Sequence, residues 1–516
     1  MKHFIQKYEE KVIGKISGFD RLVFRGTLRS LAVAGGMSDF LYRTGVLLKD
    51  FGQYVQDTSE KLKQASLTAA QQQCRPIKYL SSSSIRKETV AREIVEADGI
   101  AQGLICILKC VEPCMSYEIY RNKMKKKLEL RPRQRKCLHL YHYWIDRTFG
   151  FMNARIQTWF PFNIQLCING REFLARQMDK NNMAYERREN CFSWIEDIGK
   201  AQELIADMLK ISWPQCLDEI AGKLNPVHDE IFDTYKVDYY WSVHQSEWAT
   251  DIMFKSSQAL SAVYPSLLEQ AIIGFSSQDV MRFLGKKPHG NFTGQVVSDS
   301  KKRPEGTRIK HCCNNNSVKM YDKQGSVLRV ETTINNVRDF KVYRPEPDYP
   351  GGAYGWQRMR KGVADIYRRA EISDASNNRY LEGLSRLDSS EKLSKIVQNV
   401  CRRRKWRNNH VRGLKPWWPE DRELLKAISR GEFSISGFRN RDIAKLLFPK
   451  SYSDNKLCKK YAAKVTYRLG ILRAHGIIRK ISHTNRYLLT VKGQRLTTAV
   501  SKIQNISLKQ LSNIAA

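Results

Sequence analysis

Residues 317–334 read SVKMYDKQGSVLRVETTI, two alternating runs around Gln324-Gly325-Ser326. A three-residue connection with a central glycine is a hairpin signal. If Lys323 pairs with Val327, Tyr321 falls opposite Arg329 and Lys319 opposite Glu331. Period two then gathers Lys319, Tyr321, Lys323, Arg329, Glu331 and Thr333 on one face and leaves Val318, Met320, Leu328 and Val330 for the core. A phenol can attack a phosphodiester, a carboxylate can hold Mg²⁺ or Mn²⁺ on the phosphate, and lysine or arginine can offset the charge that builds in transfer. Tyr343 and Tyr367 are rival nucleophiles. Glu247 and Asp251, four residues apart in YYWSVHQSEWATDIMF, are further metal ligands to set beside Glu331. The same face also suits a structural role, with a solvated Lys319–Glu331 pair and Tyr321 packed beside it.

The YDK…LRVE segment is similar to that of rolling-circle replication initiators of the phage and plasmid type. That resemblance implies a metal-assisted tyrosine on an HUH-like α/β fold, with Tyr321 as nucleophile and Glu331 as metal ligand. It covers this short segment alone. An HUH motif also needs two histidines two residues apart on one strand. The nearest pair here, His139 and His142, is three apart and faces opposite ways on a regular strand.

Charge says more about the partner. The chain has 88 Lys+Arg against 52 Asp+Glu, a formal net charge of +36. Such an excess repels itself unless a polyanion is near, which makes nucleic acid the first candidate. Three stretches concentrate it. In YRNKMKKKLELRPRQRKCLHLYHYW, Lys123, Lys125, Lys126, Lys127, Arg131, Arg133 and Arg135 precede Tyr141, Tyr143 and Trp144, a mixture that suits phosphates and stacked bases. Its bland use is a core strand with only the charges in solvent, and Trp159 and Phe160 in TWFPF read as core. Arg402, Arg403 and Arg404 open a basic linker, read as a phosphate-binding arm or a flexible tether.

The third stretch is C-terminal. Asp421–Ser429, Asn440–Leu447 and Lys459–Ala474 carry helical patterns, the last stopped at His475-Gly476. Two β-rich runs, Ile477–Ile481 and Arg486–Leu489, follow. Ala462, Val465, Leu469 and Leu472 make the apolar face. Lys459, Lys460, Lys464 and Arg468 face a groove, and Arg479, Lys480, His483 and Arg486 arm the hairpin. LRAHGIIRK with RYLLTVKGQR resembles the winged helix-turn-helix of MarR-like regulators, which implies a helix in the DNA major groove.

The elements that must position these groups read as an α+β multidomain chain. An α/β N-terminal half covers 1–222, its first 75 residues mainly helical. A β-rich α+β middle domain covers 223–375, with a boundary at Asn225-Pro226. A helical and basic linker spans 376–415, and 416–516 is the winged helix. No Walker A, GxGxxG, HExxH or GxSxG motif occurs, so no nucleotide or organic cofactor is indicated. No apolar run of membrane-spanning length and no signal peptide is present, and the twelve cysteines are expected as reduced thiols in a cytoplasmic, nucleoid-associated chain. The expected partner is DNA, with RNA the alternative. The expected role is strand processing for a mobile element or replicon, with Mg²⁺ or Mn²⁺ as cofactor. A regulator or structured-RNA binder without catalysis is the alternative.

Overall fold

The computed structural model describes residues 1–500 apart from 288–291, 293, 304–305, 346–351, 386–392, 431–432, 434–436, 450–454, 483, 491, 494–495 and 498–499. The chain is mixed α+β. In chain order its main strands are β1 (Val12–Leu28), β2 (Ile77–Leu80), β3 (Gly103–Asn122), β4 (Lys127–Asp146), β5 (Gly150–Gln157), β6 (Ile164–Asn169), β7 (Tyr185–Arg188), β8 (Cys191–Ile195), β9 (Tyr239–Phe254), β10 (Val296–Arg303), β11 (Gly306–Cys313), β12 (Asn316–Lys323) and β13 (Val327–Ile334).

Two compact units form, neither of them continuous in sequence. One comprises Val12–Lys255 with Lys323–Ala375, and the other Met1–Lys11, Ser256–Asp322 and Ser376–Ala516. In the first, strands lie in the order β13-β9-β1-β6-β5-β4-β3-β2. All neighbours are antiparallel except β2 and β3. The anticipated boundary at Asn225-Pro226 falls inside this unit, because β1 pairs along its length with β9 from beyond that boundary. Most of the first 75 residues are helical as read, but that reading missed one long strand. Helices Ala34–Arg43 and Phe51–Gln72 are present, but β1 is a 17-residue strand.

One sheet face carries the main core, where Phe19, Leu22, Phe24 and Trp248 meet Trp213, Leu217 and the helix Phe51–Gln72. On the opposite face, helices Gly170–Lys180 and Ile198–Ala206 and the β7–β8 hairpin cover Ile16, Met253 and Val327. The helix Lys87–Asp98 covers that face over β3. The start of Gly170–Lys180 sits hard against β1. A Cβ on Gly170 would lie 1.7 Å from the Phe19 carbonyl oxygen. Gly170→Ala must therefore move backbone, and we expect about 1–3 kcal/mol of destabilisation, read as a lowered urea midpoint. An unchanged midpoint would show that the contact is slack.

In the second unit, β10, β11 and β12 form an antiparallel meander. Its C-terminal part has helices Pro419–Ile428, Asn440–Leu447 and Asn455–Ala474, then strands Ile478–Lys480 and Tyr487–Leu489. These lie where the sequence pattern placed them, with the third helix starting at Asn455 instead of Lys459. Gly476, at φ +69°, ends that helix in the left-handed region where glycine is favoured. Leu425, Ile443, Val465, Leu469, Leu472 and Ile478 share its core. No helix among the described residues is long and apolar enough to cross a membrane.

Candidate metal centre and nucleic-acid surfaces

The site begins with an irregularity in β1. Phe19 pairs with Trp248 and Arg21 with Glu247, so Asp20 is an extra residue with no partner of its own on β9. This is a β-bulge, a device that re-aims side chains. It shifts the alternation by one. Phe19 and Leu22, three apart, both reach the core, while Asp20 and Arg21 both fall on the face of Glu247. On β13, Arg329 pairs with Asp251, Glu331 with Ala249 and Thr333 with Glu247. Period two therefore sets Arg329, Glu331 and Thr333 on the face that carries Glu247 and Asp251.

The result is a group of three carboxylates, Asp20, Glu247 and Glu331, each offering an oxygen within 4.8 Å of the others. Asp20 and Glu331 are buried and Glu247 is half-buried, so the group opens on the Glu247 side. Thr333, on the Glu331 face and opposite Glu247 in register, has a buried hydroxyl oxygen with no hydrogen-bond partner among the described residues. Oxygen-only donors suit hard divalent cations such as Mg²⁺, Mn²⁺ or Ca²⁺, whose metal–oxygen distances of about 2.0–2.6 Å are compatible with that spacing.

Beside it lies a second set of charges whose role is internal. Asp251 is fully buried and held by two arginines that are buried equally completely. Arg329 donates from Nε to Asp251 Oδ1 at 2.6 Å and from Nη2 to Oδ2 at 2.8 Å. Arg171 donates from Nε to Oδ2 at 3.0 Å and from Nη2 to the Ala249 carbonyl at 3.1 Å. Asn169 caps the helix that carries Arg171, its side chain accepting from the Arg171 and Glu172 amides. Arg329 also reaches Asp20 Oδ1 at 3.2 Å and the Asn190 carbonyl at 2.6 Å. Burial pushes Asp251 up, but Arg329 and Arg171 outweigh it and hold the carboxyl below its ordinary range. For Asp20 burial wins over the same two arginines, with Glu331 and Asp251 adding to it, and its carboxyl is raised above 3.8.

Three expectations change here. Asp251 is not one of the carboxylate group, because both its oxygens are taken by arginine. Arg329, 1% exposed, has its donors committed inside the protein and cannot meet a substrate phosphate. The solvated face expected for residues 329–333 is also absent, since every residue of β13 is buried. Gln324 and Gly325 do form the turn before β13, at φ +55° and +79°. Lys323 pairs with Glu189 at 3.1 Å, while Lys319 and Tyr321 are half-buried on β12. Asp20 was not singled out from sequence, although Phe19-Asp-Arg-Leu22 breaks the alternation of a long strand with two charges.

The basic stretches divide similarly. Lys123, Lys125, Lys126 and Lys127 are exposed at the turn between β3 and β4, as are Arg131, Arg133 and Arg135 on β4. Arg131 pairs with Glu129 and covers Tyr120 at 3.7 Å, and Arg133 pairs with Glu118. The aromatic half of that stretch is not free to stack. Tyr143 is core, Trp144 packs against the core, and Tyr141 donates to Glu112 at 2.8 Å. His139 and His142 are both buried, and burial holds the His142 imidazole down to about 4.

The Arg402–Arg404 stretch is no tether, because Arg404–Trp406 pairs with Asn409–Val411 in a small hairpin. Arg402, Arg403 and Arg404 are exposed. Lys459, Lys460, Lys464, Arg479 and Lys480 are exposed, and Arg486 is half-buried. Arg468 is the exception: it is buried and donates to Glu420 at 2.8 Å, so it braces the helices. His483 lies outside the described residues.

No protein-family model, curated protein or solved structure matches this chain.

Proposed function

We propose that this chain is a nucleic-acid-processing protein that acts on a phosphodiester through a divalent cation held by Asp20, Glu247 and Glu331. The observation that carries this reading is the bulge in β1. It sets a desolvated aspartate against two glutamates from β9 and β13, beside the unpartnered Thr333 hydroxyl. Gathering three carboxylates is costly without a cation, since like charges and burial both disfavour ionisation. A bound Mg²⁺ or Mn²⁺ would polarise the phosphate and stabilise the departing oxygen. One phosphorus–oxygen bond forms to the nucleophile as the bond to the leaving ribose oxygen breaks, and the nucleophile's proton ends on that oxygen.

A cation-bound water is the nucleophile this unit can supply by itself; Tyr321, suggested by the resemblance to rolling-circle initiators, belongs to the other compact unit. In this reading the three C-terminal helices and following strands are a winged helix that addresses duplex DNA through Lys459, Lys460, Arg479 and Lys480. The exposed cations at 123–135 support a second reading, a binder of DNA or structured RNA without catalysis.

Incubation with end-labelled single-stranded DNA and Mn²⁺ separates these readings. Cleavage with a covalent adduct lost in Tyr321→Phe supports tyrosine transfer. Cleavage without an adduct supports hydrolysis by water. Binding without cleavage under Mg²⁺, Mn²⁺ or Ca²⁺ overturns the catalytic reading and leaves the binder.

A further inference from the structure

A second feature lies on the same sheet face, farther along β1. Arg25 on β1 and Arg155 on β5 both pair with Gln165 on the intervening β6. The three therefore form a row across the sheet, with the arginines two strands, or about 10 Å, apart. They border a cavity of about 310 Å³ lined also by His139, Gln157, Asn163 and His244. That volume is in the range of small-ligand sites.

The charges around it do not balance. Arg155 contacts Glu112 at 3.1 Å and His139 Nε2 at 3.1 Å. Glu112 is already shared with Lys87 at 2.9 Å and with the Tyr141 hydroxyl. Arg25 forms no ion pair or side-chain hydrogen bond among the described residues. Neither histidine is suited to supply an anion's counter-charge at neutral pH. Burial, then Arg155, holds His139 down to about 4, and burial lowers His244. Two buried polar atoms in the cavity wall also lack partners among the described residues, the donor Arg155 Nε and the acceptor Asn163 Oδ1. An arginine pair short of one anion, with a spare donor and a spare acceptor, matches a phosphate that carries a polar substituent.

We infer that the Arg25–Gln165–Arg155 row is a phosphate subsite for a single nucleic-acid strand running along this face from the three carboxylates. The proposal rests on the phosphodiester reading of those carboxylates. Arg25 is four residues along β1 from Arg21, about 13 Å. A single strand cut at the carboxylates reaches the row within a few nucleotides. Glu112, shared among Lys87, Tyr141 and Arg155, leaves Arg25 for the ligand.

The test is salt-dependent binding of a fluorescent 12-nucleotide single-stranded DNA to the full chain and to Arg25→Gln and Arg155→Gln. Arg25 is exposed, so its replacement spares the fold even if Arg155→Gln disturbs Glu112. The expected result is a loss of affinity of about tenfold per arginine and a salt slope reduced by roughly 0.7 for each. Mn²⁺ binding should be unchanged in both variants, which keeps this test separate from that of the carboxylates. Unchanged affinity and slope in Arg25→Gln would overturn the subsite. So would competition at the row by inorganic phosphate with no arginine-dependent DNA binding, which would assign it to free phosphate.

Discussion

Asp20→Asn combined with Glu331→Gln is expected to weaken Mn²⁺ binding by more than about a hundredfold, the upper end of the loss from altering groups around metal ligands. Metal-dependent cleavage should disappear with it. Both substitutions keep side-chain size and hydrogen-bonding ability, and each removes one negative charge. The fold should survive. Burial disfavours the ionised form of Asp20, so Asn at that position is expected to hold or raise the urea midpoint. Groups that serve a site at a cost to stability behave in this way. Mn²⁺ affinity measured by calorimetry, beside near-ultraviolet circular dichroism, separates metal loss from unfolding. Unaltered Mn²⁺ affinity in the double variant would sink the centre.

The pH dependence follows from the same burial. A cation needs Asp20 ionised, and burial raises its carboxyl above 3.8. Metal affinity should therefore fall as pH drops through that raised value, before ordinary carboxylates titrate. In Asp20→Asn this part of the dependence should vanish. Without metal the sign for stability is opposite. A carboxyl raised in the folded state favours folding at low pH and loses that advantage as pH rises through its folded value.

Asp251→Ala should be the most destabilising single change in the unit, by about 3–5 kcal/mol. It leaves Arg171 and Arg329 buried without their shared counter-ion, and no water-exposed route relieves them. A typical domain has only about 5–15 kcal/mol in total. Urea unfolding followed by tryptophan fluorescence reads the loss. Replacing all three charges together, with Asp251→Leu, Arg171→Met and Arg329→Met, is expected to recover most of it, since the cost lies in unpaired charge. A shift below about 1 kcal/mol in Asp251→Ala would show that water already screens the pair. Asp251 is held below its ordinary pKa, so its contribution is complete above the unfolded value near 3.8 and goes only as pH falls through the lower folded value.

How much of this was legible beforehand depended on the distance over which each feature is decided. The three C-terminal helices, the stop at Gly476 and the two strands after it were readable because helical period, glycine and turn chemistry act over a few residues. The Gln324-Gly325 turn was readable for the same reason. Glu247 and Glu331 were named from residue type, and the structure groups them with Asp20 while Asp251 is spent on two arginines. Asp251 looked as available as Glu247, and only the buried arginines from residues 171 and 329 distinguish them. Asp20 left a local trace in the spacing of Phe19 and Leu22, which a strict search for alternation breaks would have caught.

From sequence alone, this protein's charge excess, the exposed lysines at the β3–β4 turn and the C-terminal element order were determined, since solvation and short-range hydrogen bonding decide them. Tertiary structure alone decided which charges are spent inside. Arg329, Arg468 and Arg171 are residue types usual at a surface, yet pairing across strands and helices commits them to carboxylates inside the protein. It also decided the carboxylate centre, because β1, β9 and β13 become neighbours through sheet order, and no local pattern encodes which distant strands will share backbone hydrogen bonds.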